Sequence, residues 1–226
     1  MSNIAYYTTA LKQYLEPILP GYVEFYGNPK RLSLLYGLQI KHFNKNNADI
    51  LNVGCGAFAI EMLLPLDKHH ITSFDYMEQY GVLYTYFRND GHLQNTSFFT
   101  ADAQKAKFAE NSFDLIIFND IFYENALSVA DLLAKYAAFL RPNGMMVFDI
   151  INTRTYWIWK CLGKEVGHKR YRCSEIAQII SQLNFGCLEC QPALGSKGPL
   201  DSLFRRILWH VFGLSNNFTY LIQKGD

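Results

Sequence analysis

Apolar residues recur at three- and four-residue spacing through residues 4–19 and again through 29–43, which predicts two amphipathic helices separated by a turn region at 21–28. From Asp49 the pattern changes. Short apolar runs (Ile50-Leu51-Asn52-Val53, Ile71-Thr72-Ser73-Phe74, Ser97-Phe98-Phe99-Thr100, Leu115-Ile116-Ile117-Phe118 and Met145-Met146-Val147-Phe148) alternate with helix-length segments at 57–66, 76–88 and 127–140. Strands alternating with helices predict an α/β fold, a parallel sheet covered on both faces and joined by right-handed crossovers. Beyond Ile150 the chain is irregular to Arg172; a helix is then expected at 174–183, a strand at 187–191, an apolar helix at 203–212 and a last strand at Phe218-Thr219-Tyr220-Leu221-Ile222. No internal repeat, low-complexity segment or interdomain linker is visible, so one domain spanning 1–226 is expected, with 1–47 as a helical cap, 48–226 as the core and 151–172 as an insertion in it.

Composition narrows the class. Of 226 residues, 50% are apolar, 15% aromatic and 18% charged, which excludes a disordered chain. The formal net charge of +1 supplies no overall field toward nucleic acid or an anionic membrane. No apolar run approaches the roughly 18 residues of a membrane span, and the N-terminus lacks the basic start and apolar core of a secretion signal, so a cytoplasmic protein is expected. The cysteines, Cys55, Cys161, Cys173, Cys187 and Cys190, are odd in number and irregularly spaced, which suits reduced thiols. Cys187-Leu188-Glu189-Cys190 is a lone CxxC without the second pair or histidines of a zinc site, and no metal is expected.

The most informative segment is Asp49-Ile50-Leu51-Asn52-Val53-Gly54-Cys55-Gly56-Ala57-Phe58-Ala59, an apolar strand running into a glycine turn and then a helix. Glycine permits the turn and the close approach of a ligand, and a new helix N-terminus presents unpaired N–H groups. The next strand ends in Asp75, nineteen residues after Gly56, where a carboxylate is placed to accept hydrogen bonds from ribose hydroxyls. Cys55, between the glycines, reads as a small packed residue rather than a nucleophile.

With these features the chain resembles the class I S-adenosylmethionine-dependent methyltransferases from about residue 49 to 186. Gly54-Cys55-Gly56, Asp75, and Asp102 in Thr100-Ala101-Asp102-Ala103 match that family's cofactor loop, ribose acid and adenine-side acid. Ser112-Phe113-Asp114-Leu115-Ile116 resembles its approach to strand four, and Leu140-Arg141-Pro142-Asn143-Gly144 its turn into strand five. The resemblance implies a Rossmann-like, seven-stranded, mostly parallel sheet with an antiparallel last strand, helices on both faces and an N-terminal helical cap. It also implies S-adenosylmethionine as cofactor, S-adenosylhomocysteine as product, and cofactor contacts at Asn52, Gly54, Cys55, Gly56, Asp75, Tyr76, Asp102, Ala103 and Asn119. Asp114 reads instead as a structural acid bonding neighbouring N–H groups. Two positions depart from the family: Asn52 stands where an acid is usual, and Phe58 where glycine is usual. Asparagine retains hydrogen bonding without charge, whereas a phenyl ring is expected either to intrude on the cofactor or to strain a positive φ. The loop also reads as Gly54-x-Gly56-x-x-Ala59, a variant of the dinucleotide fingerprint, so an NAD(P)-dependent oxidoreductase and a catalytically silent relative are the alternatives.

The acceptor side is less specific. Methyl transfer is an in-line displacement that needs alignment and exclusion of water more than a catalytic triad. The strand-four segment Asn119-Asp120-Ile121-Phe122-Tyr123-Glu124-Asn125 lacks the prolines of the amino-methyltransferase motif; Asp120, Tyr123 and Glu124 are acceptor-facing candidates, and His168 is a candidate base. Residues 151–172 hold six basic side chains against Glu165, interleaved with Tyr156, Trp157, Trp159 and Tyr171. That composition suits a small-molecule acceptor with an anionic and a ring or apolar portion, and disfavours nucleic acid, whose footprint would be more extended. Tyr6, Tyr7, Tyr22, Tyr26 and Tyr36 are expected mainly to pack amphipathic helices. The helix at 203–212 is expected to bury against the final strands, with weak peripheral membrane association as the alternative.

Overall fold

A computed structural model describes residues 3–20, 42–155, 160, 167–192, 207–211, 214–215 and 217–225. Among the described residues, seven strands form one sheet: β1 (Asp49–Val53), β2 (His70–Asp75), β3 (Thr96–Thr100), β4 (Phe113–Phe118), β5 (Leu140–Ile151), β6 (Phe185–Pro192) and β7 (Asn217–Lys224). Their order is β3-β2-β1-β4-β5-β7-β6; the first five pair in parallel and β7 runs antiparallel to both β5 and β6. The order reverses between β1 and β4. Loops after those two strands therefore diverge and leave a crevice at the carboxyl edge, the usual ligand position in a doubly wound sheet.

Alternation along the strands builds two cores. Ile50, Ile71, Leu115 and Ile117 face α1 (Asn3–Ala10), α2 (Ala59–Leu63) and α3 (Tyr80–Asn89). Leu51, Val53, Phe74, Ile116 and Phe118 face α4 (Val129–Ala137) and α5 (Cys173–Gln182). Helices thus cover both faces. Asn52 and Ser73 are polar interruptions of the first face, side by side because they are register partners in the β1–β2 pair.

Helix boundaries shift from the expected ones for local reasons. The helix expected at 4–19 is α-helical only to Ala10, then widens into a π-helical turn over Leu11–Leu15. The one expected from residue 76 begins at Tyr80, because the Asp75 carboxylate holds the Met77 amide in a turn. Tyr7 is fully buried with its hydroxyl donating to the Ala57 carbonyl at 3.0 Å, and Tyr6 donates to Asp90 at 2.5 Å, so these two tyrosines pack and tie as expected. Tyr22, Tyr26 and Tyr36, the helix expected at 29–43, and Tyr156, Trp157 and Trp159 lie outside the described residues. Of the expected 203–212 helix only 207–211 is described; Trp209 packs on Phe218, but Ile207 and Val211 remain 47% and 65% exposed, so its burial is one-sided.

At the amino edge of the sheet, Asp114 accepts from the Asp49 amide at 3.0 Å, Lys45 Nζ at 2.8 Å and Arg141 at 2.6 Å, while Arg141 also bonds Asp49 at 2.7 Å. This is the structural acid expected from the sequence. Cys187 and Cys190 lie exposed on β6, and among the described residues no group of three His, Cys, Asp or Glu side chains could hold a metal ion. No described helix is long and apolar enough to cross a membrane.

Candidate active site

A cavity of about 840 Å³ opens at the carboxyl edge where the strand order reverses, large enough for a nucleoside-sized ligand together with a second small molecule. Its wall includes Asn52, Gly54, Cys55, Asp75, Tyr76, Asp102, Ala103, Asn119, Asp120, Tyr123 and His168. Of the cofactor-contact and catalytic candidates expected from the sequence, only Gly56 is absent from this wall; it lies behind it and donates its amide to Asp75 Oδ2 at 2.9 Å.

The glycine loop is fixed from both sides. The amides of Gly54 and Cys55 donate to the Phe74 carbonyl at 2.9 and 3.0 Å, and both glycines have positive φ, 68° and 54°. At Gly54 a Cβ would come within 2.4 Å of Ile121 Cγ2, so the loop after β1 presses directly on the loop after β4. Phe58 adopts φ 61°, the left-handed conformation its usual glycine would accept freely. Its ring does not intrude. It is fully buried against Tyr84 and Phe98, away from the cavity, so of the two expected consequences only the backbone strain is present.

Asp75 ends β2 with Oδ1 accepting from the Met77 amide at 3.0 Å and is only 6% exposed. Burial pushes its carboxyl up from the usual range against the opposing pull of the Met77, Gly56 and Tyr76 amides. Asp102 is more open, accepting the Gln104 amide at 2.8 Å and facing Lys105 at 3.5 Å. Its side chain serves a turn while lining the cavity. The Cys55 thiol is buried and its pKa is pushed well up, first by desolvation and then by Glu61 and Asp75, which makes it a packed residue rather than a nucleophile.

Two acids at this edge escaped the sequence reading. Glu61 of α2 accepts from Asn52 Nδ2 at 2.8 Å and from Ser73 Oγ at 2.5 Å. Asp149, near the end of β5, accepts the Asp120 amide at 2.7 Å and the Tyr123 hydroxyl in a short hydrogen bond; Asn217 donates to the same hydroxyl at 2.9 Å. Each is a lone acid in an otherwise apolar strand or helix, and that isolation was the available signal. His168 stands with its ring 5.9 Å from that of Tyr123. Lys169, one of the cations expected to meet an acceptor, instead donates to the Leu127 carbonyl at 2.6 Å, and Tyr171 is buried in the second core. Both are structural.

The sheet order and its antiparallel β7 are those of the class I S-adenosylmethionine-dependent methyltransferases. Residues 50–144, which carry the glycine loop and most of the cavity wall, match the family described as the methyltransferase domain, so this segment is a methyltransferase domain within that fold. This sets aside the nicotinamide reading of the glycine loop. No curated protein matches the chain in sequence. Among solved structures, magnesium protoporphyrin IX methyltransferase from Synechocystis, with S-adenosylhomocysteine bound, is similar over 98% of this chain and 97% of its own, at 11% identity and TM-score 0.68. A Galdieria sulphuraria protein, assigned but not established as a sarcosine dimethylglycine methyltransferase, is similar over 100% and 99%, at 15% identity and TM-score 0.66. The cyclase SpnF is similar over 87% and 80%, at 12% identity and TM-score 0.64. These likenesses concern the fold.

Proposed function

We propose that the protein transfers the methyl group of S-adenosylmethionine to a small-molecule acceptor, and that the whole chain works as one domain. The observation that carries this reading is the continuity of one cavity from the Gly54 loop, past Asp75 and Asp102, to the Tyr123–Asp149 pair. Gly54, Cys55 and Gly56 would give the loop its close approach, Asp75 the ribose contact, and Asp102, Ala103, Tyr76 and Asn119 the surroundings of the base. The residues present fit the cofactor: Asn52 offers a buried amide oxygen without a partner in the described residues, and the Asp75 carboxylate lines the cavity with oxygens that can each accept a further hydrogen bond. Bound there, S-adenosylmethionine supplies an electrophilic methyl carbon and leaves as the thioether.

The chain's own residues align the acceptor and take its proton. Tyr123 Oη accepts from Asn217 and donates to Asp149 Oδ2, so a proton taken from an acceptor's O–H or N–H has a route through the hydroxyl to the carboxylate. Asp120 and His168 flank that point. An acceptor with an anionic and a ring portion fits the basic, aromatic composition of 151–172, with Lys169 and Tyr171 removed from that account.

Calorimetric titration of S-adenosylmethionine and S-adenosylhomocysteine, with NAD and NADP in parallel, tests the reading. Micromolar binding of the first pair alone is expected. Binding of the nicotinamide pair, or of neither pair, overturns it.

A further inference from the structure

Glu61 does not line the cavity, yet it is placed to govern an atom of a residue that does. Asn52 and Ser73 sit beside each other on β1 and β2, and the Glu61 carboxylate lies over both, its Oε1 taking a hydrogen bond from each. Asn52 is 1% exposed, and its amide has two faces with opposite chemistry. With Nδ2 committed to Glu61, Oδ1 is left buried and, among the described residues, without a partner, at a residue that lines the cavity. Leaving a buried acceptor unpaired is unfavourable, a deficit that a donor arriving in the cavity would remove.

We infer that Glu61 is a positioning residue that holds the Asn52 amide oxygen toward the cavity as the acceptor for a ligand's ammonium group. This rests on the cofactor reading above, in which the ammonium belongs to the amino-acid end of S-adenosylmethionine. The acid missing from strand β1 has in effect moved to α2 and acts through the asparagine. An ionised Glu61 can only accept, so it selects the NH₂ face of Asn52. A protonated Glu61 can donate to Oδ1, which frees the amide to turn and present NH₂ to the cavity, a donor facing a donor. Burial raises the Glu61 carboxyl from its usual range while Ser73 and Asn52 pull it down, which brings the change of state nearer to neutral pH. The other titratable groups facing it, Tyr7 from α1 and Cys55 from the glycine loop, are both pushed up by burial and stay neutral through that range. Asp75, which faces Cys55, also titrates upward.

The test compares S-adenosylhomocysteine with 5′-methylthioadenosine, which keeps the adenosine thioether and lacks the amino-acid end. In Glu61→Gln the side chain presents either an oxygen or an NH₂ to Asn52 and no longer selects its face. Calorimetry should show S-adenosylhomocysteine weakened about tenfold and methylthioadenosine changed less than about twofold. In the wild-type protein the affinity ratio of the two ligands should fall as pH is lowered through the raised titration of the Glu61 carboxyl and stay flat in Glu61→Gln. Titration of Asp75 affects both ligands alike and cancels in the ratio. Equal weakening of both ligands in the variant would mean a structural role, and a wild-type ratio independent of pH would remove the orientation mechanism even if the variant failed to fold. Absence of binding by either ligand to the wild type would overturn the cofactor reading along with this one.

Discussion

Asp75 Oδ2 lies 2.9 Å from the Gly56 amide nitrogen, so the acid that ends β2 fastens the loop that ends β1. Its second oxygen holds the Met77 amide, and the carboxylate therefore serves two loops and the cavity together. Asp75→Asn keeps one acceptor for these amides and removes the charge. Because burial raises the folded pKa above the ordinary 3.8, the fold favours the protonated acid; that contribution is fully present below 3.8 and lost as pH rises through the folded value. At neutral pH the asparagine variant should thus melt no lower than wild type, while S-adenosylhomocysteine binds about tenfold more weakly. Unaltered affinity by calorimetry would take Asp75 out of the ribose contact.

Phe58 sets a backbone cost against a packing gain. Its left-handed backbone costs roughly 1–2 kcal/mol relative to glycine. The fully buried ring, packed on Tyr84 and Phe98, is worth roughly 3–5 kcal/mol against truncation. Phe58→Gly should therefore destabilise the protein by about 1 to 4 kcal/mol in urea unfolding. Cofactor affinity of the folded fraction should hardly change, since the ring does not line the cavity.

The amino edge makes the opposite test, of stability without function. Desolvation alone would raise the Asp114 carboxyl, but the hydrogen bonds and charges of Lys45, the Asp49 amide and Arg141 together outweigh it and lower the pKa below 3.8. A depressed folded pKa gives stability that is present above the unfolded value and lost as pH falls through the folded one. Asp114→Asn should cost about 2 kcal/mol at neutral pH and flatten the acid limb of the stability curve. Ligand binding at the far edge should not move. A large loss of cofactor affinity in this variant would show that the two edges are coupled.

The alternation of apolar runs and helix-length segments made the parallel part of the sheet legible, because its central strands β1 and β4 are buried on both faces and read as nearly continuous hydrophobic stretches. Gly54, Asp75 and Asp102 were legible by position after such runs. Glu61 and Asp149 were not, because their partners are distant along the chain: Ser73 is twelve residues from Glu61, and Tyr123 twenty-six from Asp149. No local pattern encodes those distances. Lys169 misled for a related reason, since a cation in a basic run cannot be told from one that serves a backbone carbonyl until the fold places Leu127 beside it.

Tyr123 separates cofactor binding from chemistry. Tyr123→Phe removes the hydroxyl shared by Asp149 and Asn217 but leaves the glycine loop and Asp75 in place. With an accepted substrate in hand, turnover to S-adenosylhomocysteine should fall about a hundredfold while its binding constant stays within about twofold. Undiminished turnover would exclude the hydroxyl as the proton acceptor.

Gly54→Ala tests whether the two loops meet as tightly as their geometry states. The added Cβ would lie 2.4 Å from Ile121 Cγ2, and alanine must also hold φ 68°. The second burden costs roughly 1–2 kcal/mol and the first forces Ile121, only 8% exposed, to shift, so about 3 kcal/mol of destabilisation is expected in total. Since Gly54 and Ile121 both line the cavity, S-adenosylhomocysteine affinity should fall with it. Ile121→Ala gives the new Cβ room, and the double variant should therefore be more stable than the two single effects summed, the coupling expected of residues in contact. It should remain below Ile121→Ala alone, because removing the clash does nothing for the left-handed alanine. Strict additivity in urea unfolding would show that the loop relieves the contact by moving as a whole, and that the glycine is required for its φ and not for its neighbour.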